Sequence, residues 1–268
     1  MRAPGAEPPF FFLHVMKTGG TAFVFNLLQN FGPGEVYPAD VDKRQAGDLL
    51  PYVSISHLRG VPAARRDQIR MYTGHFPYVA CELLGIELRT LTLLRDPVER
   101  SLSVLKHFKR HFPRYEPLSL GELYDDPFLF ENFVHDHQTK LFSVTADDHP
   151  ETFASTLTHD ANRVRHLGGP DPAGPTTIVA DGARLELAKA NLARVDLVGV
   201  NERYPEFVER LRARFGWWPD GVDTGARVNA ADDTLTAGAS LRRRIADDNT
   251  YDAELYELAH ELARERAT

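Results

Sequence analysis

Residues 10–21 read FFFLHVMKTGGT, an apolar run that ends in a lysine, two threonines and two glycines. A continuous apolar segment rich in aromatic residues predicts a buried strand over Phe10–Met16. Apolar residues then recur at helical spacing up to a Gly-Pro stop, which predicts an amphipathic helix through Val24, Leu27, Leu28 and Phe31, closed by Gly32 and Pro33. The stretch therefore predicts a strand, a glycine-rich loop and a helix in succession.

The same alternation continues along the chain. Leu88–Leu94 (LRTLTLL) and Asp196–Val200 (DLVGV) each predict a strand. The first is followed by a helix start, with Asp96 as N-cap, Pro97 in the first turn and Glu99 three residues after the cap. Over Arg65–Tyr72 the pattern predicts a helix that runs into a short strand. A capping box at Ser119–Glu122 marks a further helix start. Three more helices are predicted, over Asp181–Val195, Tyr204–Phe215 and Ser240–Arg266.

Strands that alternate with helices predict an α/β fold. We expect a P-loop-like three-layer sandwich, in which helices flank a central, mainly parallel sheet. Between residues 34 and 60 the hydrophobic pattern does not distinguish helix from strand, although it allows a short strand over 52–55. The 268 residues, 43% of them hydrophobic, suit a single domain over 1–268. We expect a loose segment at 1–9 and a variable excursion on the substrate side over 111–175.

Composition restricts the function classes. A net charge of -7 disfavours a nucleic-acid partner, because that class relies on broad positive potential. The chain has neither an apolar run of roughly 20 residues nor a signal-peptide pattern, so we expect a cytoplasmic protein without a membrane partner. The single cysteine, Cys81, leaves no internal disulfide and fits a reducing compartment. The sequence does not indicate an oligomeric state.

The glycine-rich loop has the chemistry of an anion site. Backbone N–H groups of such a loop and of the following helix start converge on a phosphate, and Lys17 adds a full positive charge. A Walker A loop would place its lysine after the glycines, whereas Lys17 precedes Gly19 and Gly20. The neighbouring predicted strand also ends at Arg95 rather than at an acidic metal ligand. A nucleotide-dependent phosphotransferase is therefore the alternative, and we expect no metal.

Two segments together resemble one family. HVMKTGGT (14–21) is similar to the phosphosulfate-binding loop of the sulfotransferases, in the carbohydrate-type branch that includes the heparan and dermatan sulfate 2-O-sulfotransferases. RDPVERSLSVLKHF (95–108) resembles the 3′-phosphate-binding segment of that branch. Met16 departs from the family motif, in which proline is usual at this position. The resemblance implies a PAPS-dependent sulfotransferase (PAPS, 3′-phosphoadenosine 5′-phosphosulfate).

The resemblance also implies roles for individual residues. Lys17 would contact the bridging oxygen and stabilise the charge that grows on the leaving group. The 5′-phosphosulfate would be cradled by Thr18, Gly19, Gly20 and Thr21. The 3′-phosphate would be held by Arg95 and Ser103. A protein that binds the nucleotide without catalysis is a third reading, although such a protein has no chemical need for the lysine.

The acceptor needs a base, because its hydroxyl loses a proton as it attacks sulfur. His75 is our candidate, since it follows a predicted strand and lies in a Gly-His pair that resembles the base region of the 2-O-sulfotransferases. We expect a sugar-bearing or other small-molecule acceptor. The basic cluster Arg65, Arg66 and Arg70 is either a contact for an anionic acceptor or a solvated helix face. Two histidine pairs could bind metal, but neither has a third ligand nearby: His107 with His111, and His135 with His137.

Overall fold

The computed structural model describes residues 7–45, 51–148, 178–218 and 235–265. Within them a five-stranded sheet has the order β2-β3-β1-β4-β5, and all of its pairings are parallel. The strands are β1 (Phe10–Leu13), β2 (Val36–Tyr37), β3 (Met71–Gly74), β4 (Arg89–Leu94) and β5 (Leu197–Val200). The predicted α/β fold with a parallel central sheet is confirmed.

Helices cover both faces of this sheet. The described helices are α1 (Gly20–Leu27), α2 (Asp40–Gln45), α3 (Ile55–Gly60), α4 (Ala63–Arg66), α5 (Val79–Leu83), α6 (Pro97–His111), α7 (Leu120–Tyr124), α8 (Pro127–Leu129), α9 (His137–Ser143), α10 (Gly182–Ala193), α11 (Tyr204–Phe215), α12 (Ala239–Asp248) and α13 (Thr250–Glu265). Short 3-10 turns lie at Pro113–Tyr115, Ala146–Asp148 and Asn201–Arg203, and a π turn lies at Phe130–Val134.

The central strand β1 explains the three layers. Its four residues are all buried, and successive side chains point to opposite faces of the sheet. Phe10 and Phe12 pack with α1 and α11, whereas Phe11 and Leu13 pack with the helices of the other face, among them α3, α5, α10 and α13. A strand that is buried on both sides reads as a continuous apolar run, as the sequence does here.

Three local expectations were wrong. The strand that was expected over Phe10–Met16 ends at Leu13, because the chain then leaves the sheet to form the loop. Residues 52–55 contain no strand; Ser54 accepts a hydrogen bond from the His57 N–H and thereby caps α3. Leu28, expected on the apolar face of the first helix, is 50% exposed.

The segment expected to be loose (1–9) and the expected variable excursion (111–175) are described only in part. Residues 1–6 of the first and 149–175 of the second lie outside the described residues. Residues 7–9 lie beside β4, where the Pro9 carbonyl accepts the Arg89 N–H at 2.9 Å. Residues 113–134 form short helical turns that pack on α6, whereas Leu141, Phe142 and Val144 of the α9 region belong to the core beside Phe11 and Leu13. Within the described ranges, no helix is both long enough and apolar enough to cross a membrane.

Two distant helix starts hold each other in a buried polar junction. Asp252, in the first turn of α13, accepts the N–H groups of Gln138 at 3.1 Å and Thr139 at 2.7 Å in α9. Asp136, which precedes α9, accepts the Asp252 N–H at 2.8 Å. Each carboxylate therefore satisfies backbone donors that helix starts leave without partners. Burial and the nearby Asp252 carboxylate raise the pKa of Asp136.

We predict that Asp252→Ala lowers the free energy of unfolding by about 2–4 kcal/mol, because it leaves two buried N–H groups without acceptors. Urea unfolding measures the loss. Asp247→Ala, at an exposed position of α12, is the matched control and should remain within about 0.5 kcal/mol of the parent. Equal unfolding midpoints for the two variants would contradict this role of Asp252.

Candidate active site

The carboxyl ends of the sheet strands bring the predicted segments together. The parallel register aligns Leu13 of β1 with Gly74 of β3 and with Thr92 of β4. The chain leaves these strands at the same edge, so residues 14–19, His75 and Arg95 all lie there. This edge is where open α/β sheets form ligand crevices, next to the helix N-termini.

The loop between β1 and α1 has an unusual backbone. Lys17 has a φ of 68° and Gly19 a φ of 88°, both in the left-handed region, which is sparsely populated by non-glycine residues. A side chain at Gly19 would collide with the amide of Asn201, and one at Gly20 with the imidazole of His14. The glycines are therefore required by close packing, and no side chain caps the N–H groups at the start of α1.

The threonines of the loop lie in different settings. Thr18 is fully buried and its hydroxyl donates to the Val15 carbonyl at 2.9 Å. Its hydroxyl is thus used to shape the loop. Thr21 lies in the first turn of α1.

Arg95 lies directly against the lysine loop. Its guanidinium Nη1 donates to the Lys17 carbonyl at 3.3 Å. The side-chain amide of Gln138 fixes the Arg95 backbone by accepting its N–H at 3.1 Å and donating to its carbonyl at 3.0 Å. Arg95 Nε is buried without a hydrogen bond in the described part of the chain, and the carboxylate of Glu202 is 3.9 Å away. The two motifs therefore form one positively charged site.

Lys17 lies near two other positively charged side chains. Burial lowers the pKa of the Lys17 ammonium, and the positive charges of Arg110 and Arg95 lower it further. An anion bound among these groups would relieve their mutual repulsion. Arg110 was not among the predicted site residues, although its spacing of seven residues from Ser103 places both on one face of α6. Gln138 and Asn201 carried no local signal, since only the fold brings them to this edge.

Some polar residues of the segment after β4 stabilise the fold, and others are available to the site. The Asp96 carboxylate accepts the Glu99 N–H at 2.9 Å and so caps α6, as predicted. Arg100 is completely buried and donates to the carbonyls of Phe133 and Val134, and its pKa falls to about 10 because of this burial. Ser103 is half-buried on α6, and its hydroxyl has no hydrogen bond among the described residues.

His14 and His75 form a second feature of the same edge. Their ring centroids are 4.3 Å apart. The His14 N–H donates to the Gly74 carbonyl at 3.1 Å, and His75 Nδ1 lies 2.7 Å from the His14 carbonyl oxygen. A carbonyl only accepts, so Nδ1 carries the proton, and the neutral ring of His75 has its lone pair on Nε2. Burial holds the pKa of His14 well below its usual value, and it is lowered further by the protonated form of His75 and by the charge of Lys17.

The histidine pairs that were considered for metal binding lie elsewhere. The rings of His107 and His111 contact each other on α6, tilted by 47° with centroids 4.5 Å apart. His137 is buried, and its Nδ1 donates to the Asn132 carbonyl at 3.0 Å. In the ranges that the structure describes, no three histidine, cysteine or acidic side chains are grouped as metal ligands.

Comparisons with known proteins gave few matches. No protein-family model matches the chain, and no curated protein matches it. Among solved structures, the crystal structure of a sulfotransferase from Alicyclobacillus acidocaldarius is similar, with a TM-score of 0.46 and 16% sequence identity. The alignment covers 95% of this chain and 97% of that chain. The function proposed below therefore rests on the sequence motifs and on the geometry of the site.

Proposed function

We propose that the protein is a sulfotransferase that moves the sulfuryl group of PAPS to a hydroxyl of a small-molecule or sugar-bearing acceptor. The observation that carries the proposal is the contact of the Arg95 guanidinium with the backbone of the Lys17 loop. PAPS has anionic groups at both its 5′ and 3′ positions. A loop with a lysine that adjoins a second cationic segment provides one partner for each of them.

Lys17 acts on the leaving group in this proposal. Its ammonium donates to the oxygen that bridges sulfur and phosphorus, where negative charge grows as the bond to sulfur breaks. The lowered pKa of Lys17 makes its proton easier to share at that moment. The N–H groups of Gly19 and Gly20, with those of Thr18 and Thr21, surround the 5′ group. Arg95 and Ser103 bind the 3′-phosphate, and Arg110 adds positive charge on the same helix face.

His75 acts on the acceptor. The acceptor oxygen forms a bond to sulfur as the sulfur–bridging oxygen bond breaks, and adenosine 3′,5′-bisphosphate leaves with the electron pair. The hydroxyl proton passes to Nε2 of His75, which holds the lone pair because Nδ1 donates to the His14 carbonyl. His14, kept neutral by its lowered pKa, supports this ring without competing for the proton.

The phosphotransferase alternative has less support. Its magnesium would need an acidic ligand at the end of a strand beside β1. Asp96 follows β4, but its carboxylate is engaged as the cap of α6. A protein that only binds the nucleotide would not need a partly buried lysine whose pKa is lowered at the leaving-group position. We therefore retain sulfuryl transfer, with no metal required.

We predict that replacing Lys17 and replacing Arg95 affect different steps, catalysis in the first case and nucleotide binding in the second. Lys17→Ala should lower kcat by about 10²–10³-fold, because one donor to the developing charge is lost, and should change nucleotide affinity less. Arg95→Ala should mainly weaken binding of adenosine 3′,5′-bisphosphate, by about 10–100-fold, because a charge-assisted contact is lost. Turnover with PAPS and calorimetric titration separate the two effects.

Arg194→Ala is the control for these variants. Arg194 is exposed and precedes β5, at the opposite edge of the sheet from the site, and its ion pair with Glu82 is 3.9 Å long. It should leave turnover and nucleotide binding unchanged. The reverse pattern, with binding lost in Lys17→Ala and turnover lost at unchanged affinity in Arg95→Ala, would refute both assigned roles.

We predict that His75→Asn lowers kcat by about 10²–10⁴-fold and abolishes the fall in rate at acidic pH, where a histidine base becomes protonated. The asparagine amide retains a donor for the His14 carbonyl, so binding of adenosine 3′,5′-bisphosphate should not change. His111→Ala, at an exposed position, should keep the parent pH profile. If His75→Asn retains the acidic fall in rate, another group is the base.

A further inference from the structure

A cavity of about 610 Å³ opens beside His75. His14, Thr73, Gly74 and His75 line its inner end, where β1 and β3 finish, and Tyr52 lies next to them. Its volume lies within the range of small-molecule pockets. The proposed base thus faces a space that is large enough for an acceptor.

The outer walls of the cavity are mostly apolar. They are formed by α1, by β2 and by the chain from β2 into α2, with Val24, Leu28, Val36, Pro38 and Val41 among the lining residues. Leu28 is 50% exposed and is one of these lining residues. Its exposed surface belongs to this cavity, which gives a physical reason for its departure from the predicted core.

The charged residues of this region are already paired with one another. Lys43 and Asp40, which line the cavity, form an ion pair at 3.1 Å. Arg65, which the sequence offered as a contact for an anionic acceptor, is buried and pairs with Asp42 at 2.7 Å. Lys43, the one lysine or arginine among the described lining residues, therefore already has an acidic partner.

Arg65 instead braces the wall of the cavity. Its guanidinium donates to the carbonyls of Gly34 and Val36, and the Asp42 carboxylate accepts the Ala39 N–H at 2.7 Å. Gly34, Val36 and Ala39 all line the cavity. The wall is thus held in place by buried hydrogen bonds before an acceptor binds, and its apolar lining is a preformed feature of the fold.

We propose that this cavity is the acceptor site and that it selects an uncharged, largely apolar alcohol or phenol. The hydroxyl lies at His75 and the apolar body lies against the walls near Leu28. A sugar would place hydroxyls against the apolar outer walls, where the side chains of Val24, Leu28, Val36 and Val41 offer no hydrogen-bond partners, which is unfavourable. An anionic sugar would in addition lack a counter-charge. The inference rests on the proposed function, because it takes His75 as the base.

Binding of 1-naphthol, followed by its own fluorescence, tests the cavity directly. Titrations are run with and without adenosine 3′,5′-bisphosphate, in competition with methyl glucoside or glucuronate. Leu28→Asp introduces a charge into the cavity wall and should weaken naphthol binding at least tenfold. Phe25→Asp is the matched control, because Phe25 is 55% exposed on the same segment and does not line the cavity.

The expected result is that naphthol binds more tightly than either sugar and that Phe25→Asp binds it within twofold of the parent. Tighter binding of methyl glucoside or glucuronate, or equal naphthol affinity of the two variants, would overturn the proposal. The nucleotide is titrated separately into the same samples. If the protein does not bind the nucleotide, the proposed function is contradicted. The naphthol and sugar titrations without nucleotide still show which acceptor class the cavity prefers.

Discussion

The parallel pairing of β1 with a strand on each side is the constraint on which the rest of the site depends. Because β3 and β4 run in register with β1, the chain leaves all three strands at one edge. The lysine loop, His75 and Arg95 reach that edge for this reason alone, although they are far apart in sequence. The apolar side chains of β1, buried between two helical layers, provide the hydrophobic free energy that fixes this arrangement.

A chain of hydrogen bonds then holds the positively charged side chains in place at this edge. The junction of Asp136 and Asp252 orients α9, Gln138 in α9 fixes the Arg95 backbone, and the Arg95 guanidinium reaches the Lys17 carbonyl. Lys17, Arg95 and Arg110 are thereby held close enough to affect one another. Partial burial lowers the pKa of Lys17 most, and the charges of Arg110 and Arg95 lower it further.

The sequence predicted the elements that depend on local pattern. The alternating strands and helices, the Asp96 cap and the lysine loop all have signals within a few residues, and the structure contains each of these elements. It could not predict features that depend on tertiary contacts. Arg65 looked like part of a surface cluster, but Asp42, 23 residues away, accepts its hydrogen bonds in a buried site. Leu28 fitted the helical period yet lines a cavity, which only the tertiary arrangement of α1, β2 and α2 creates.

The most direct measurement is calorimetric titration of the protein with adenosine 3′,5′-bisphosphate, against AMP, which lacks only the 3′-phosphate, and against ATP with magnesium. Our assignment predicts binding that needs no metal and is about 10–100-fold tighter than that of AMP, because Arg95 contributes a charge-assisted contact to the 3′-phosphate. Equal affinities for the bisphosphate and AMP, or a preference for ATP with magnesium, would contradict the assignment of this edge as a PAPS site.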